Sequence, residues 1–142
     1  MSFFTFFAFG QLSEGFESAT FPPPGWSILN NGIGLTRSWT TTSATALGWV
    51  YAGGKAAIIN KEDVPSGIAQ DWMVTPQVTV PANGQLRFFA RSIANGEQGS
   101  VYKVKISTTS QTDQASFVDI VTPPYTELDI INAPFEQKII PL

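Results

Sequence analysis

The sequence predicts an all-β domain, a β-sandwich of the jelly-roll type built from two antiparallel sheets. Its 142 residues are 43% hydrophobic and only 13% charged, with many Thr, Ser, Gly and aromatic residues, a composition that favours an extracellular β-domain. Short β-prone runs alternate with turn signals about every ten to fifteen residues. No segment has a sustained 3.6-residue period with caps, so no long helix is expected.

The first half of the chain contains a short strand, a turn and three further β-prone runs. The strand is expected in GWSILNN (25–31), and the turn cluster NNGIG (30–34) ends it. The further runs are SWTTTSA (38–44), GWVYAGG (48–54) and KAAIIN (55–60).

Residues 72–93 are predicted to form a β-hairpin. The stretch QDWMVTPQVTVP (70–81) alternates apolar and polar residues, with one interruption at Pro76. The turn PANG (81–84) follows, and QLRFFARSI (85–93) returns.

The clearest strand of the second half is SVYKVKIST (100–108). Its wet face is formed by Val101, Lys103 and Lys105, and its buried face by Tyr102, Val104 and Ile106. Two more strands are expected in SFVDIV (116–121) and FEQKIIPL (135–142), whereas YTELDIINA (125–133) forms one helical turn at most.

The first ten residues, MSFFTFFAFG, are almost wholly apolar. The run ends with the small residues Ala8 and Gly10 at the positions that a secretory cleavage site requires, so residues 1–10 resemble the end of a signal peptide. Cleavage there would leave a single domain at 11–142. No Lys or Arg precedes the run, and the alternative is a first β-strand, FFTFFAF (3–9), packed in the core. The run is too short to span a bilayer.

The chemistry open to the chain is limited by the residues it lacks. It has no Cys and no His, which excludes Ser-His-Asp and Cys-His catalysis and the usual zinc sites. A metal could be held by oxygen ligands alone, and calcium is the natural candidate. The net charge of −3 and the lack of a basic run argue against nucleic acid and anionic membranes as partners. A glycosidase needs two carboxyl groups on opposite sides of a sugar cleft, and the sequence does not place any two of its carboxylates in that way.

Three blocks in a fixed order give the chain a more specific signature. They are FESATFPPPGWSILNNG (16–32), YAGGKAAIINKEDVPSGIAQDWMVTPQVTVPANGQLRFFARS (51–92) and VYKVKISTTS (101–110). Together they resemble the cleaved-adhesin domains, also called choice-of-anchor J domains, which are jelly rolls related to MAM domains. Such domains occur in secreted surface proteins of Bacteroidetes, including the adhesin regions of gingipains. The resemblance covers roughly residues 14–142.

The resemblance also implies a jelly roll that is C-terminally incomplete. Domains of this family usually continue beyond the equivalent of EQKIIPL, where this sequence ends at Leu142. A fragment of a longer protein, a short natural variant, or a domain completed by a strand from another chain would each account for this.

The candidate metal ligands are Glu17, Asn30 and Asp71. The resemblance implies a role for Glu17, because a carboxylate on the first strand of such jelly rolls often helps to hold a structural calcium. Asn30 and Asn31 stand where better family examples carry an Asp-rich loop, and the C-terminal acidic partner is absent. The alternatives are a surface or turn-capping role for Glu17 and, for Asp71, a hydrogen bond that orients Trp72.

The stretch 36–54 matches the family least, and its aromatic residues are the candidates for a ligand surface. Trp39, Trp49 and Tyr51 each combine an apolar ring face with a polar tip, as stacking on a sugar requires. Binding residues often lie on such loops. A core position is the alternative for each of the three.

The proline stretch has a structural interpretation. Pro22, Pro23 and Pro24 are expected to fix a polyproline-like approach, and Gly25 then permits the turn before Trp26.

These observations predict a non-catalytic adhesion or ligand-binding module of a secreted or cell-surface bacterial protein. Its partner would be a glycan or a protein on a surface, with structural calcium as the cofactor considered and with no nucleic acid and no membrane insertion. One alternative is a structural subunit of an extracellular filament or surface assembly, which self-associates by sharing strands through uncovered edges. The other is a carbohydrate-binding accessory module of a hydrolase.

Overall fold

The computed structural model describes residues 12–43, 45–93, 95, 101–120, 128–129 and 134–142. Within these ranges the chain is all-β, with short strands, two three-residue 3-10 helices and no α-helix. The predicted all-β class is confirmed. The predictions for residues 1–10 lie outside the described residues.

Ten strands lie in the described ranges. They are β1 (Ser27–Asn30), β2 (Thr40–Thr42), β3 (Ala56–Ile58), β4 (Asp71–Val74), β5 (Gln85–Ala90), β6 (Val101–Tyr102), β7 (Lys105–Ile106), β8 (Val118–Asp119), β9 (Leu128–Asp129) and β10 (Glu136–Pro141). The 3-10 helices are Thr45–Leu47 and Gln114–Ser116.

The strands pair antiparallel, and most of the pairing joins distant parts of the chain. β1 pairs with β4, β2 with β3, β5 with β10, β6 with β9 and β7 with β8. Ile28 faces Met73 across the β1–β4 ladder, and Phe88 faces Lys138 across the β5–β10 ladder. In the described residues these remain five two-stranded ladders, so they do not join into the two sheets of a closed sandwich.

The predicted β-hairpin over 72–93 is wrong. Its turn exists, because the N–H of Gly84 donates to the carbonyl oxygen of Pro81 at 2.9 Å. The strand before the turn ends at Val74, however, and β4 and β5 pair with β1 and β10 instead of with each other. Pro76 and Pro81 carry no N–H, so the segment between them lacks a ladder donor at each end.

The strand predicted over 100–108 is divided into β6 and β7, which pair with different strands. The predicted faces reverse in the second part: Ile106 is 37% exposed, whereas the side chain of Lys105 is 26% exposed. Lys105 turns inward because its ammonium pairs with Asp119 at 2.6 Å and lies 5.8 Å from the centroid of the Trp72 ring. The stretch expected to form at most a helical turn contributes strand β9.

The prolines lead into the predicted turn before Trp26. The N–H of Trp26 donates to the carbonyl oxygen of Pro23 at 3.0 Å, and Gly25 has a φ of 84°. This is the pattern of a type II turn with Pro24 at its second position. The Phe21–Pro22 peptide is cis. The turn leads directly into β1.

Few aliphatic side chains of the described residues are buried, and pairs of packed aromatic rings supplement this small core. Among the described residues, the buried hydrophobic ones are Val74 and Ile140. Edge-to-face ring pairs are Phe16–Trp26, Trp72–Phe117 and Phe88–Tyr102. Trp26 and Trp72 are half-buried members of these pairs.

Candidate functional site

An exposed aromatic cluster lies where the loop before β3 meets the β5–β10 ladder. The ring of Tyr51 stacks on that of Phe89, with centroids 3.6 Å apart and planes inclined by 12°. Phe135 packs edge-on against Tyr51 at 5.5 Å, and the guanidinium carbon of Arg91 lies 5.6 Å from the Phe135 centroid. We call these four residues the Tyr51 platform.

Tyr51 stays exposed although another ring stacks on it. Phe89 covers one face of its ring, and yet 55% of Tyr51 remains exposed. Phe89 is itself 40% exposed, so the whole stack lies at the surface. An exposed aromatic ring that is fixed by neighbouring rings suits stacking against a flat apolar surface of a ligand.

Arg91 ties the platform to the chain just before Tyr51. Its Nη1 donates to the carbonyl oxygen of Gly48 at 2.5 Å, and its Nε donates to that of Ser92 at 2.9 Å. Both acceptors are uncharged backbone groups, so the guanidinium keeps its full positive charge while it is held in place. Its position near the Phe135 ring is also favourable electrostatically.

Glu17 anchors the far end of the same loop. Its Oε1 accepts hydrogen bonds from the N–H of Gly54 at 2.8 Å and from the N–H of Lys55 at 3.0 Å. Gly53 has a φ of 79°, and a β-carbon at this position would overlap Oε1 of Glu17. Glycine is therefore required both by the backbone conformation and by the approach of the carboxylate. We call this arrangement the Glu17 clamp.

A second glutamate holds another loop in a similar way, and we call this arrangement the Glu62 clamp. Oε1 of Glu62 accepts from the N–H and the hydroxyl of Thr36, at 3.1 and 2.5 Å, and Oε2 accepts from the N–H of Arg37 at 3.1 Å. The hydroxyl bond from Thr36 lowers the pKa of the Glu62 carboxyl. A β-carbon at Gly34, where φ is 71°, would lie 2.9 Å from Oε2.

The asparagines of the NNGIG loop also bind backbone groups. Oδ1 of Asn30 accepts from the N–H of Gly32 at 2.9 Å. Asn31 reaches the chain before β4, where its Oδ1 accepts from the N–H of Gln70 at 3.2 Å and its Nδ2 donates to the carbonyl oxygen of Ile68 at 2.9 Å. These are the short-range and loop-bridging bonds typical of Asn in turns.

Asp71 faces Asn30 across the β1–β4 ladder. Its backbone carbonyl oxygen accepts a hydrogen bond from the indole N–H of Trp39 at 3.1 Å. Asp71 therefore orients Trp39, whereas the sequence suggested a hydrogen bond that orients Trp72. Oδ1 of Asp71 is buried and has no hydrogen-bond partner among the described residues. Burial raises the pKa of this carboxyl, and the charge of Glu62 raises it further.

The structure separates the three aromatic candidates. Tyr51 is exposed and forms the centre of the platform. Trp39 is half-buried and its indole N–H is bonded, and Trp49 is half-buried as well. Of the three, Tyr51 is the exposed one.

The three metal candidates are not brought into one cluster by any contact described. Asn30 and Asp71 are cross-strand partners, whereas the carboxylate of Glu17 binds the N–H groups of Gly54 and Lys55. The described ranges contain no group of three or more Asp, Glu, His or Cys side chains that could hold a metal ion. Calcium binding stays a prediction.

Sequence reasoning missed Phe89, Phe135 and Arg91. A signal for Phe89 was present in β5, where exposed and half-buried residues alternate from Gln85 to Ala90 and Phe89 falls on the exposed side. No local pattern indicates that Phe135 packs against Tyr51, because that contact depends on the pairing of β5 with β10.

Antiparallel ladders with anchored loops and an exposed aromatic cluster are the features of an all-β binding domain. A comparison with protein-family models matches residues 10–129 to the Cleaved Adhesin Domain. The match covers most of the chain, and the chain belongs to this family, as the resemblance predicted. Membership indicates an adhesion-type module of a surface or secreted protein.

Comparisons with curated proteins and with solved structures find no match to this chain. No helix in the described part of the chain has the length and apolarity needed to cross a bilayer.

Proposed function

We propose that this chain is a non-catalytic adhesion module that binds a surface-borne glycan or protein through the Tyr51 platform. The observation that carries the proposal is the Tyr51 ring, which is 55% exposed although one of its faces is covered by Phe89. Membership in the cleaved-adhesin family supports the adhesive role. Export to a surface or to the medium is part of the proposal.

The platform is prepared for binding before any ligand arrives. Arg91 holds the chain at Gly48, and the Glu17 clamp holds it at Gly54, so the Tyr51 loop is fixed at both ends. A ligand that stacks on Tyr51 therefore orders little of the protein, and less affinity is lost to conformational entropy. Binding at a loop supported by a β-framework is the arrangement expected of recognition domains.

The proposal is tested by retention on an array of immobilised glycans and extracellular-matrix proteins. We expect Tyr51→Ala to lose retention on the surfaces that hold the wild-type protein, and Tyr51→Phe to keep it because the ring remains. Ile68→Ala is the matched control, since it removes another exposed apolar side chain, one that is 72% exposed. Equal retention of Tyr51→Ala and wild type would overturn the proposal.

The sharing of strands between copies is a second candidate function. Residues 75–80 form no ladder in the described residues, although their sequence, TPQVTV, is β-prone. A β-prone segment without a ladder can pair with a strand of another chain. Light scattering after size-exclusion chromatography tests it: oligomers abolished by Val78→Pro would support strand sharing, and a monomer at every concentration would exclude it.

A further inference from the structure

A row of alternating cations and aromatic rings runs along β5 and past its end. Arg87, Phe89 and Arg91 are two residues apart, and successive odd positions of a strand share a face. The β5–β10 register confirms the outer face, because Arg87 is opposite Ile139 and Phe89 is opposite Gln137, all of which are exposed. Arg91 reaches the same cluster through Phe135.

Both arginines are held by uncharged acceptors. Nε and Nη2 of Arg87 donate to Oε1 of Gln85 at 2.9 and 2.7 Å. Arg91 donates to the backbone carbonyls of Gly48 and Ser92. Among the described residues, the ion pairs are Lys61–Asp63, Lys105–Asp119 and Lys138–Glu136, and neither arginine takes part in one. Among the described residues, no carboxylate therefore neutralises either guanidinium group.

The carboxylates known to lie near this region are engaged elsewhere. Glu17 accepts the two backbone N–H groups of its clamp. Glu136 lies on the other face of the β5–β10 ladder, opposite Ala90, and its carboxylate pairs with Lys138. Among the described residues, the charged side chains of this row are therefore positive, although the chain carries a net charge of −3.

We propose that the Tyr51 platform and Arg87 bind an acidic oligosaccharide. This inference rests on the proposed function and names the class of ligand. The apolar face of one sugar ring stacks on the exposed part of the Tyr51 ring. Carboxylate or sulfate groups on the flanking sugars bind Arg87 and Arg91 through the guanidinium N–H groups that the bonds to Gln85, Gly48 and Ser92 do not use.

The spacing of the row favours an oligosaccharide over a single sugar. Along an extended strand, four residues span about 13 Å, so Arg87 and Arg91 lie on opposite sides of the stacking ring. One ring on Tyr51 cannot fill that length, whereas a short chain with an acidic group on either side can. A neutral glycan would leave both guanidinium groups without an anion.

The test is isothermal titration calorimetry with three oligosaccharides of equal length. They are an oligogalacturonate, the same oligomer with its carboxyl groups reduced to alcohols, and a sulfated oligogalactan, which carries sulfate groups and no carboxyl group. We expect the oligogalacturonate to bind at least about tenfold more tightly than its reduced form, a difference of roughly 1.4 kcal/mol. The affinity should fall with added salt. The sulfated fragment distinguishes a site that takes any anion from one that takes carboxylates.

Substitutions locate the binding on the row. Arg87→Gln and Tyr51→Ala should each weaken oligogalacturonate binding roughly tenfold. Arg87 is the preferred arginine for the test because it is exposed and bonds only Gln85 in the described residues, so its loss leaves the loops anchored. Arg37→Gln is the control, since it makes the same charge change on the Glu62-clamped loop and should leave binding unchanged.

The outcomes separate this inference from the proposed function. Equal binding of the acidic and the reduced oligomer would overturn the acidic class and leave a neutral-glycan platform. Failure of all three oligosaccharides, with Tyr51-dependent retention on immobilised proteins, would overturn the inference and leave the adhesive function. If Arg37→Gln weakens binding as much as Arg87→Gln does, the effect is one of overall charge and the site is wrong.

Discussion

The Glu17 clamp and the Glu62 clamp hold two loops in similar ways but use the carboxylate differently. In both, a glutamate accepts hydrogen bonds from the N–H groups of two successive residues in a distant segment. Glu17 uses Oε1 for both bonds. Glu62 uses both oxygens and accepts the hydroxyl of Thr36 as well.

The two loops also differ in what they carry. The Glu17 clamp ends the loop that bears Tyr51, whereas the Glu62 clamp fixes an exposed polar loop around Thr36 and Arg37. The two loops are anchored alike, so anchoring alone does not distinguish them. The difference lies in the side chains they present, an exposed aromatic ring on one and polar groups on the other.

The largest expected effect comes from breaking the Glu17 clamp at Gly53. Gly53→Ala adds a β-carbon that overlaps Oε1 of Glu17 at a residue with positive φ. We expect it to lower the free energy of unfolding by about 2–3 kcal/mol. Gly32→Ala is the control, because φ is 81° there but no atom lies within 4 Å of the added carbon, and it should cost about 1 kcal/mol. Equal losses in urea unfolding would contradict the close approach of Glu17.

The second prediction compares the two clamps directly. Glutamine keeps one acceptor oxygen, which is all that Glu17 uses, so Glu17→Gln should cost less than about 1 kcal/mol. In Glu62→Gln the amide nitrogen would face a donor, either at Thr36 or at Arg37, so the urea midpoint should fall further. A larger loss for Glu17→Gln would show that the assignment of the oxygens is wrong.

Acid titration sharpens the same comparison. The folded-state pKa of Glu62 lies below the ordinary value of 4.5, so the ionised form stabilises the fold. That contribution is fully present above pH 4.5 and is lost as the pH falls through the lowered pKa. The stability difference between wild type and Glu62→Gln should therefore shrink in acid. A difference that is independent of pH would contradict the charge-assisted bond.

Oδ1 of Asp71 accepts no hydrogen bond in the described residues, unlike the carboxylates of the two clamps. Replacing Asp71 by its amide is therefore expected to raise the free energy of unfolding, whereas the same change at the clamps lowers it. Its pKa is raised by burial above the ordinary value of 3.8, so its contribution is favourable below pH 3.8 and is lost as the pH rises through the raised pKa. We expect Asp71→Asn to stabilise the protein by roughly 1 kcal/mol at neutral pH, with the bond from Trp39 to the backbone retained. Urea unfolding checks this, and a destabilised variant at neutral pH would refute it.

The smallest effect is expected at Tyr102, whose hydroxyl is buried without a partner in the described residues. Tyr102→Phe should change stability at neutral pH by less than about 0.5 kcal/mol. Burial, and to a smaller extent the charge of Glu136, raises the pKa of Tyr102 to about 12. The contribution of the neutral hydroxyl to the free energy of unfolding is therefore intact below pH 10 and is lost as the pH rises towards 12. Alkaline unfolding should therefore affect wild type more than the variant.

Patterns within short segments predicted much of the fold. Pro24 and Gly25 predicted a turn, and FEQKIIPL was expected to form a strand where β10 lies, because both predictions depend on local backbone preferences. The hairpin over 72–93 failed because prolines in its first arm weaken local pairing, and the sequence does not show which distant strand replaces it. Lys105 points inward because it pairs with Asp119, and no local sequence pattern indicates that partner.

The site was predictable only in part. Tyr51 was identified from its residue type and its place in a divergent loop. Its partners Phe89 and Phe135 come from β5 and the chain before β10, so the stack exists only after long-range pairing. Glu17 was singled out for a metal, whereas its contacts in the structure are backbone N–H groups that sequence spacing does not bring together.

The most direct test is an aromatic NMR spectrum of wild type, Glu17→Ala and Glu62→Ala. Stacking on Phe89 shifts the ring protons of Tyr51 upfield through the ring current. We predict that Glu17→Ala returns these signals towards the values of an unstacked tyrosine, because it breaks the Glu17 clamp, while Glu62→Ala leaves them in place. Unchanged Tyr51 signals in Glu17→Ala would contradict the claim that the Glu17 clamp holds the platform.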